Sequence, residues 1–268
     1  MNTKNHIKQH ILLSISLLII GAATAGCQNF TGISALFSTR RPAEGGLKIE
    51  QQTIGSSVEK RPIKCVILSQ GPQTTFILST IHGDEPAGTK LVRQLQKYLK
   101  KNSYLLLGRK VVLLPVANPD GLAHNTRVNA HGIDLNRNFA TANRLNSNTY
   151  RLEGLSEPET RAIQKLITKH KPQRIISIHQ PYACIDYDGP AKNMAYQMAK
   201  LTDLPVKKLG ALPGSLGSFA GSELNIPVIT LELKPDDHKL NGKTIWKRYG
   251  KALLIAITYP DAAKTIAK

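Results

Sequence analysis

After residue 62 the chain alternates short apolar runs with amphipathic stretches. Ile63 to Leu68 and Thr74 to Thr80 read as strands, and Gln70-Gly71-Pro72 turns between them, which predicts that they are neighbours. Ala87 to Lys101 carries Leu91, Leu95 and Leu99 at i, i+4 spacing and predicts a helix. Lys110 to Val116 is a further apolar strand, ending at Asn118-Pro119-Asp120-Gly121. Residues 122–155 read as loop, after which Ser156-Glu157-Pro158-Glu159 opens a helix with Ser156 as N-cap, running to about His170. Strands follow at Arg174 to His179 and Pro227 to Leu233, and helices at Ala191 to Leu201 and Asn241 to Thr258. Near-continuous Val/Ile/Leu strands separated by helices predict an α/β fold: a mixed, mostly parallel twisted sheet covered by helices on both faces.

The N-terminal pattern is different. Lys4 and Lys8 precede the apolar run Ile11 to Ile20, followed by Gly21-Ala22-Ala23-Thr24-Ala25-Gly26-Cys27. A charged region, an apolar region and a small-residue exit make a secretory signal over residues 1–26, and the run is short for a membrane span. Ala25-Gly26-Cys27 also resembles a bacterial lipobox with Cys27 as the lipidated residue, although Thr24 stands where Leu is usual. Residues 27–62 are rich in Gly, Ser, Thr and Pro with little periodicity and read as a tether and entry loop; residues 63–260 then form the globular domain. The expected location is the cell envelope, periplasmic or membrane-anchored through Cys27. Cys65 and Cys184 lie in no C-x-x-C arrangement, so a thiolate zinc site is not expected, and both read as buried thiols.

Charge adds one point. Lys and Arg number 36 against 18 Asp and Glu, a net charge of +18. Such a field favours anionic partners, a membrane surface or an acidic wall polymer among them. The basic residues form no block and no aromatic-interleaved motif, so nucleic acid is not an expected partner.

Candidate chemistry gathers where apolar strands end, as ligands do in open α/β sheets. Phe76-Ile77-Leu78 leads into Ser79-Thr80-Ile81-His82-Gly83-Asp84-Glu85, Ile175 to Ile178 ends at His179, and Val228 to Leu231 ends at Glu232. Two imidazoles and a carboxylate, here His82, Glu85 and His179, suit a catalytic zinc that keeps a position open. Glu232 fits the acid–base role that such a site needs; burial on its strand raises its pKa and a neighbouring cation lowers it. Arg127, Asn136 and Arg137, on the irregular stretch, suit carboxylate binding and oxyanion stabilisation, although Arg137 and Asp134 could equally tie the loop by a salt bridge.

In order, His82-x-x-Glu85, Asn118-Pro119-Asp120-Gly121, Arg127, Asn136-Arg137, His179 and Glu232 resemble the zinc metallocarboxypeptidase family, over roughly residues 63–258. The run Thr126-Arg127-Val128-Asn129-Ala130-His131-Gly132-Ile133-Asp134-Leu135-Asn136-Arg137-Asn138-Phe139, Gly214-Ser215-Leu216-Gly217-Ser218-Phe219 and Ala183-Cys184-Ile185-Asp186 are similar to its murein tripeptide amidase-like subgroup. The resemblance implies one Zn2+ held by His82, Glu85 and His179, Glu232 as general base and acid, and Arg127 polarising the scissile carbonyl. Asn136 and Arg137 would grip a free carboxylate. The implied substrate is a murein peptide or peptidoglycan, cut at the γ-D-glutamyl–diaminopimelate amide or at a C-terminal residue. Asp186, in the turn-like Asp186-Tyr187-Asp188-Gly189-Pro190, is a candidate partner for the diaminopimelate ammonium. Two departures are visible. Digestive members carry a Tyr before the catalytic Glu, where residues 214–221 offer Phe219; and residues 28–62 are too few for their folding pro-domain. The rival readings are an N-acyl amino acid deacylase of the same clan and a non-catalytic peptidoglycan-binding lipoprotein.

Overall fold

The computed structural model describes residues 47–145 and 153–261. The signal-like segment and Cys27 therefore lie outside the described residues. Among the described residues, seven strands form one sheet: β1 (Ile49–Ser56), β2 (Pro62–Leu68), β3 (Gln73–Ser79), β4 (Arg109–Leu114), β5 (Arg174–His179), β6 (Cys184–Asp188) and β7 (Val228–Glu232). Their order across the sheet is β1-β2-β4-β3-β5-β7-β6. The parallel pairings, β4 with β3, β3 with β5 and β5 with β7, fill the middle, and antiparallel pairings close both edges. The helices are α1 (Ala87–Lys101), α2 (Pro119–His124), α3 (Pro158–His170), α4 (Lys192–Ala199) and α5 (Gly242–Thr258).

The period of two sorts the strand side chains onto two faces. Ile77, Ile176, Ile178, Ile229 and Leu231 face the apolar cluster that α1, α4 and α5 cover. Phe76, Leu78, Ile175 and Val228 face the cluster under α3. Leu91, Leu95 and Leu99 are fully buried, as the helical spacing requires. The second face changes character along β5 and β7. Beyond Ile175 it continues as Ser177 and His179, and beyond Val228 as Thr230 and Glu232. A cleft opens where this face turns from apolar to polar.

Several local expectations are corrected. The sheet begins at Ile49, inside the 27–62 stretch read as tether and entry loop, because β1 pairs along most of its length with β2. Its residues are only half-buried, and such an edge strand leaves no strong hydrophobic period. β2 and β3 are not neighbours: β4 inserts between them, antiparallel to one and parallel to the other. The N-cap of α3 is Glu157, with no side-chain cap, while Ser156 Oγ bonds to Asn138 and Glu157 side chains instead. The Asp186–Asp188 segment is strand β6 and not a turn, held by β7 along its whole length. Cys65 and Cys184 are buried free thiols on β2 and β6, near opposite edges of the sheet. No described helix is long and apolar enough to cross a membrane.

Candidate metal centre and substrate cleft

The turn from β3 into α1 is strained at its first residue. Thr80 has φ 54°, a left-handed conformation that β-branched residues rarely take. It is pinned there by its Oγ1 against Thr89 Oγ1 at 2.7 Å and by Asn118 N–H donating to its carbonyl at 2.9 Å. The same turn passes against α2 so closely that a Cβ on Gly83 would lie 1.9 Å from the Gly121 carbonyl carbon. Only glycine fits between His82 and Asp84. Contacts on both sides thus fix where His82 and Glu85 point.

Parallel pairing of β3 with β5 brings His179 to this turn from 97 residues away. His82 Nδ1 lies 2.7 Å from Glu85 Oε1, His179 Nδ1 lies 3.0 Å from Glu85 Oε2, and the two Nδ1 atoms are 3.3 Å apart. One donor atom from each of the three buried residues lies within 4.8 Å of the other two. The far ring nitrogens point away from this centre. His82 Nε2 donates to Asp134 Oδ1 at 3.1 Å, and His179 Nε2 lies 2.9 Å from Ser177 Oγ. Outer partners of this kind set the tautomer and leave the inner nitrogen as donor atom.

The charges favour a cation at the centre. Burial pushes the Glu85 carboxyl up, yet the two imidazoles outweigh it and hold the pKa at about 2. Burial pulls His82 down, but Asp134 and Glu85 lift it to about 8. Asp134 is held below the ordinary carboxylate value, the His82 hydrogen bond and the Arg127 and Arg137 charges overcoming its burial. Converging imidazole nitrogens, a carboxylate and outer hydrogen bonds fit zinc chemistry.

Strand register places Glu232 directly opposite His179 on β7. Its carboxylate is buried and accepts a long hydrogen bond, 3.4 Å, from Tyr182 N–H. Burial raises its pKa, with the Glu85 charge adding to the shift and His179 opposing it. Arg127 is clamped by Asp134, with 3.1 Å from Nε to Oδ2, and extends to 3.4 Å from Glu85 Oε1. Asp134 therefore pairs with Arg127 and His82, and not with Arg137 as the loop-tying alternative had it. Arg137 instead donates to the Asn136 carbonyl at 2.6 Å, and Asn136 Oδ1 accepts from Leu216 N–H at 2.9 Å.

His82, Glu85, His179, Glu232, Arg127, Asn136, Arg137 and Tyr182 line one solvent-open cleft of about 570 Å³, which Asp186 and Asp188 also line. Cys184, Asp186 and Asp188 alternate on β6 and share the face of Thr230 and Glu232. Both acids are buried. Asp186 Oδ1 accepts from Leu209 N–H at 2.9 Å, and Asp188 is paired with Lys208. Phe219, the residue in the segment where digestive members have Tyr, turns inward and stacks on Phe139 with ring centroids 5.5 Å apart. The phenol that lines the cleft is Tyr182, two-thirds exposed. Sequence reasoning missed Ser177, Asp134 as the partner of His82, and Tyr182. The i, i+2 spacing of Ser177 and His179 on one strand was the available signal for the first.

The family model for zinc carboxypeptidases matches residues 48–189. The chain belongs to the zinc carboxypeptidase family. It is 35% identical over 181 residues to murein peptide amidase A of Escherichia coli (strain K12), covering 61% of this chain and 72% of that protein. Identity to murein peptide amidase A of Vibrio campbellii is 32% over 178 residues, covering 60% and 69%. The crystal structure of the murein-tripeptide amidase from Escherichia coli O157 superposes with a TM-score of 0.59 at 28% identity, covering 81% of this chain and 94% of that one. As a member of this family the chain is a hydrolase of the metallocarboxypeptidase type, and the family is zinc-dependent.

Removing the outer partner of His82 gives a direct test of the centre. Asp134→Asn is expected to weaken zinc binding by about 10- to 100-fold, because the imidazole N–H then meets a neutral acceptor in place of the anionic one that raises its basicity. Zinc competition against a chromogenic chelator measures this.

Proposed function

We propose that this protein is an exported zinc amidase that hydrolyses the γ-D-glutamyl–diaminopimelate bond of murein peptides. The observation that carries the reading is a single cleft lined by the His82–Glu85–His179 donor set, by Glu232 and by buried Asp186 and Asp188. The murein peptide amidases among its relatives support the substrate class.

His82, Glu85 and His179 would hold one zinc ion, which when bound supplies Lewis acidity for a carbonyl and acidifies a water. Glu232 takes the proton of the attacking water and passes it to the departing amine, a role suited to a buried carboxylate whose pKa is raised. Arg127, already fixed by Asp134, faces the negative charge that grows on the carbonyl oxygen. Asn136 and Arg137 grip the free carboxylate beside the scissile bond, and the hydrogen bond that Leu216 N–H donates to Asn136 Oδ1 orients the amide. Asp186 accepts the ammonium at the end of the diaminopimelate side chain. Cys27, lipidated after removal of residues 1–26, would tether the enzyme in the envelope, where its wall substrate lies. The basic net charge aids adsorption to an anionic wall.

The test is product identification. Zinc-loaded protein incubated with L-Ala-γ-D-Glu-diaminopimelate is expected to release diaminopimelate, seen by mass spectrometry, while N-acyl amino acids stay intact. Turnover of the acyl amino acids alone would move the protein to the deacylase reading. Binding of purified sacculi with no release from either substrate would support the wall-binding one.

A further inference from the structure

Beside Asp186 and Asp188, the two acids of β6 that line the cleft, stands a cation. Lys208 Nζ bonds the Tyr187 carbonyl and Asp188 Oδ1, and sits 5.0 Å from the centroid of the Tyr187 ring. An ammonium has three N–H donors, and these two acceptors use two of them. Asp186 Oδ1 is 4.0 Å away, outside hydrogen-bonding distance, and is taken by Leu209 N–H. Among the described residues no hydrogen bond to Asp186 Oδ2 is formed. A buried acceptor with a free oxygen and a cation with a spare donor therefore stand side by side. Lys208 does not itself line the cleft, but its side chain is 45% exposed and its Nζ lies 4.0 Å from Oδ1 of Asp186, which does, so the ammonium stands at the cleft's rim.

A carbon bearing both an ammonium and a carboxylate presents a donor group and an acceptor group at a comparable separation. The side chain of diaminopimelate ends in such a carbon, whereas that of lysine ends in the ammonium alone. We propose that Lys208 binds the carboxylate of this aminocarboxylate end while Asp186 binds its ammonium, making Lys208 the residue that selects diaminopimelate over lysine. This inference rests on the murein amidase reading above. Neutralising Asp188 is the simpler role for Lys208. It predicts an equal effect on every substrate, whereas carboxylate recognition predicts an effect on one.

The discriminating experiment compares two tripeptides that differ only in their last residue, diaminopimelate or L-lysine. Wild type is expected to favour the diaminopimelate peptide in kcat/KM. Lys208→Met should lower that preference by about tenfold or more, chiefly through KM, as loss of a charge-assisted hydrogen bond implies. Lys208→Arg, which keeps the cation, should restore part of it. Equal losses on both peptides, or an unaltered preference in Lys208→Met, would overturn the inference while leaving the amidase reading intact. Failure of wild type to cleave either peptide would remove the amidase reading and this inference with it.

Discussion

Glu232→Gln is expected to reduce turnover of the murein tripeptide by about 10³-fold while leaving bound zinc near one equivalent. The magnitude follows from general acid–base catalysis, which contributes about 10²- to 10⁴-fold. Gln keeps the shape of the side chain and can still accept from Tyr182 N–H, so the sheet around it should be undisturbed. What it loses is the capacity to accept and return a proton. Glu232 is paired in register with His179 yet stands outside the set of three converging donor atoms. Metal content and activity should therefore separate in this variant. Metal analysis together with steady-state kinetics measures both, and an active, zinc-loaded Gln variant would refute the assigned role.

His179→Ala is expected to abolish both. The imidazole comes from the end of β5, nearly a hundred residues from its partners, and supplies one of three donor atoms. Without it, His82 and Glu85 remain as a two-point site on a single turn. Zinc content should fall to near zero after dialysis, and turnover with it. A readout independent of activity is available. A ligand that binds the folded state stabilises it by about 2.7 kcal/mol at a hundredfold excess over Kd. Wild-type Tm should rise with added zinc and fall with chelator, and His179→Ala should show neither shift. A zinc-dependent Tm shift that survived in His179→Ala would mean the ion is held elsewhere.

Strands with both faces buried carry continuous apolar runs, and β3, β4, β5 and β7 were each recognisable for that reason. The polar residues that close those runs, His82, His179 and Glu232, stood out by the same contrast. β1 did not, because an edge strand half-open to solvent needs no apolar face. β6 was obscured by its composition. Asp186, Tyr187 and Asp188 are turn residues by chemistry, and only pairing with β7 makes them a strand. The partner of Asp134 was likewise ambiguous, since Arg127, Arg137 and His82 all lay open to it until the loop was placed.

Alone, the order of residues determined most of the elements, β1 and β6 excepted, and which side chains end them, because hydrophobic periodicity is a local property of a chain. It also determined the chemistry on offer: two imidazoles, a set of carboxylates and an arginine-rich loop. Tertiary structure alone decided who meets whom. The insertion of β4 beside β3, the pairing of β5 with β3 and β7, and the alignment of β6 along β7 bring the donor atoms together and set Asp186 in the same cleft. These are long-range pairings, chosen by the burial of two apolar faces at once, and no stretch of sequence read by itself contains them.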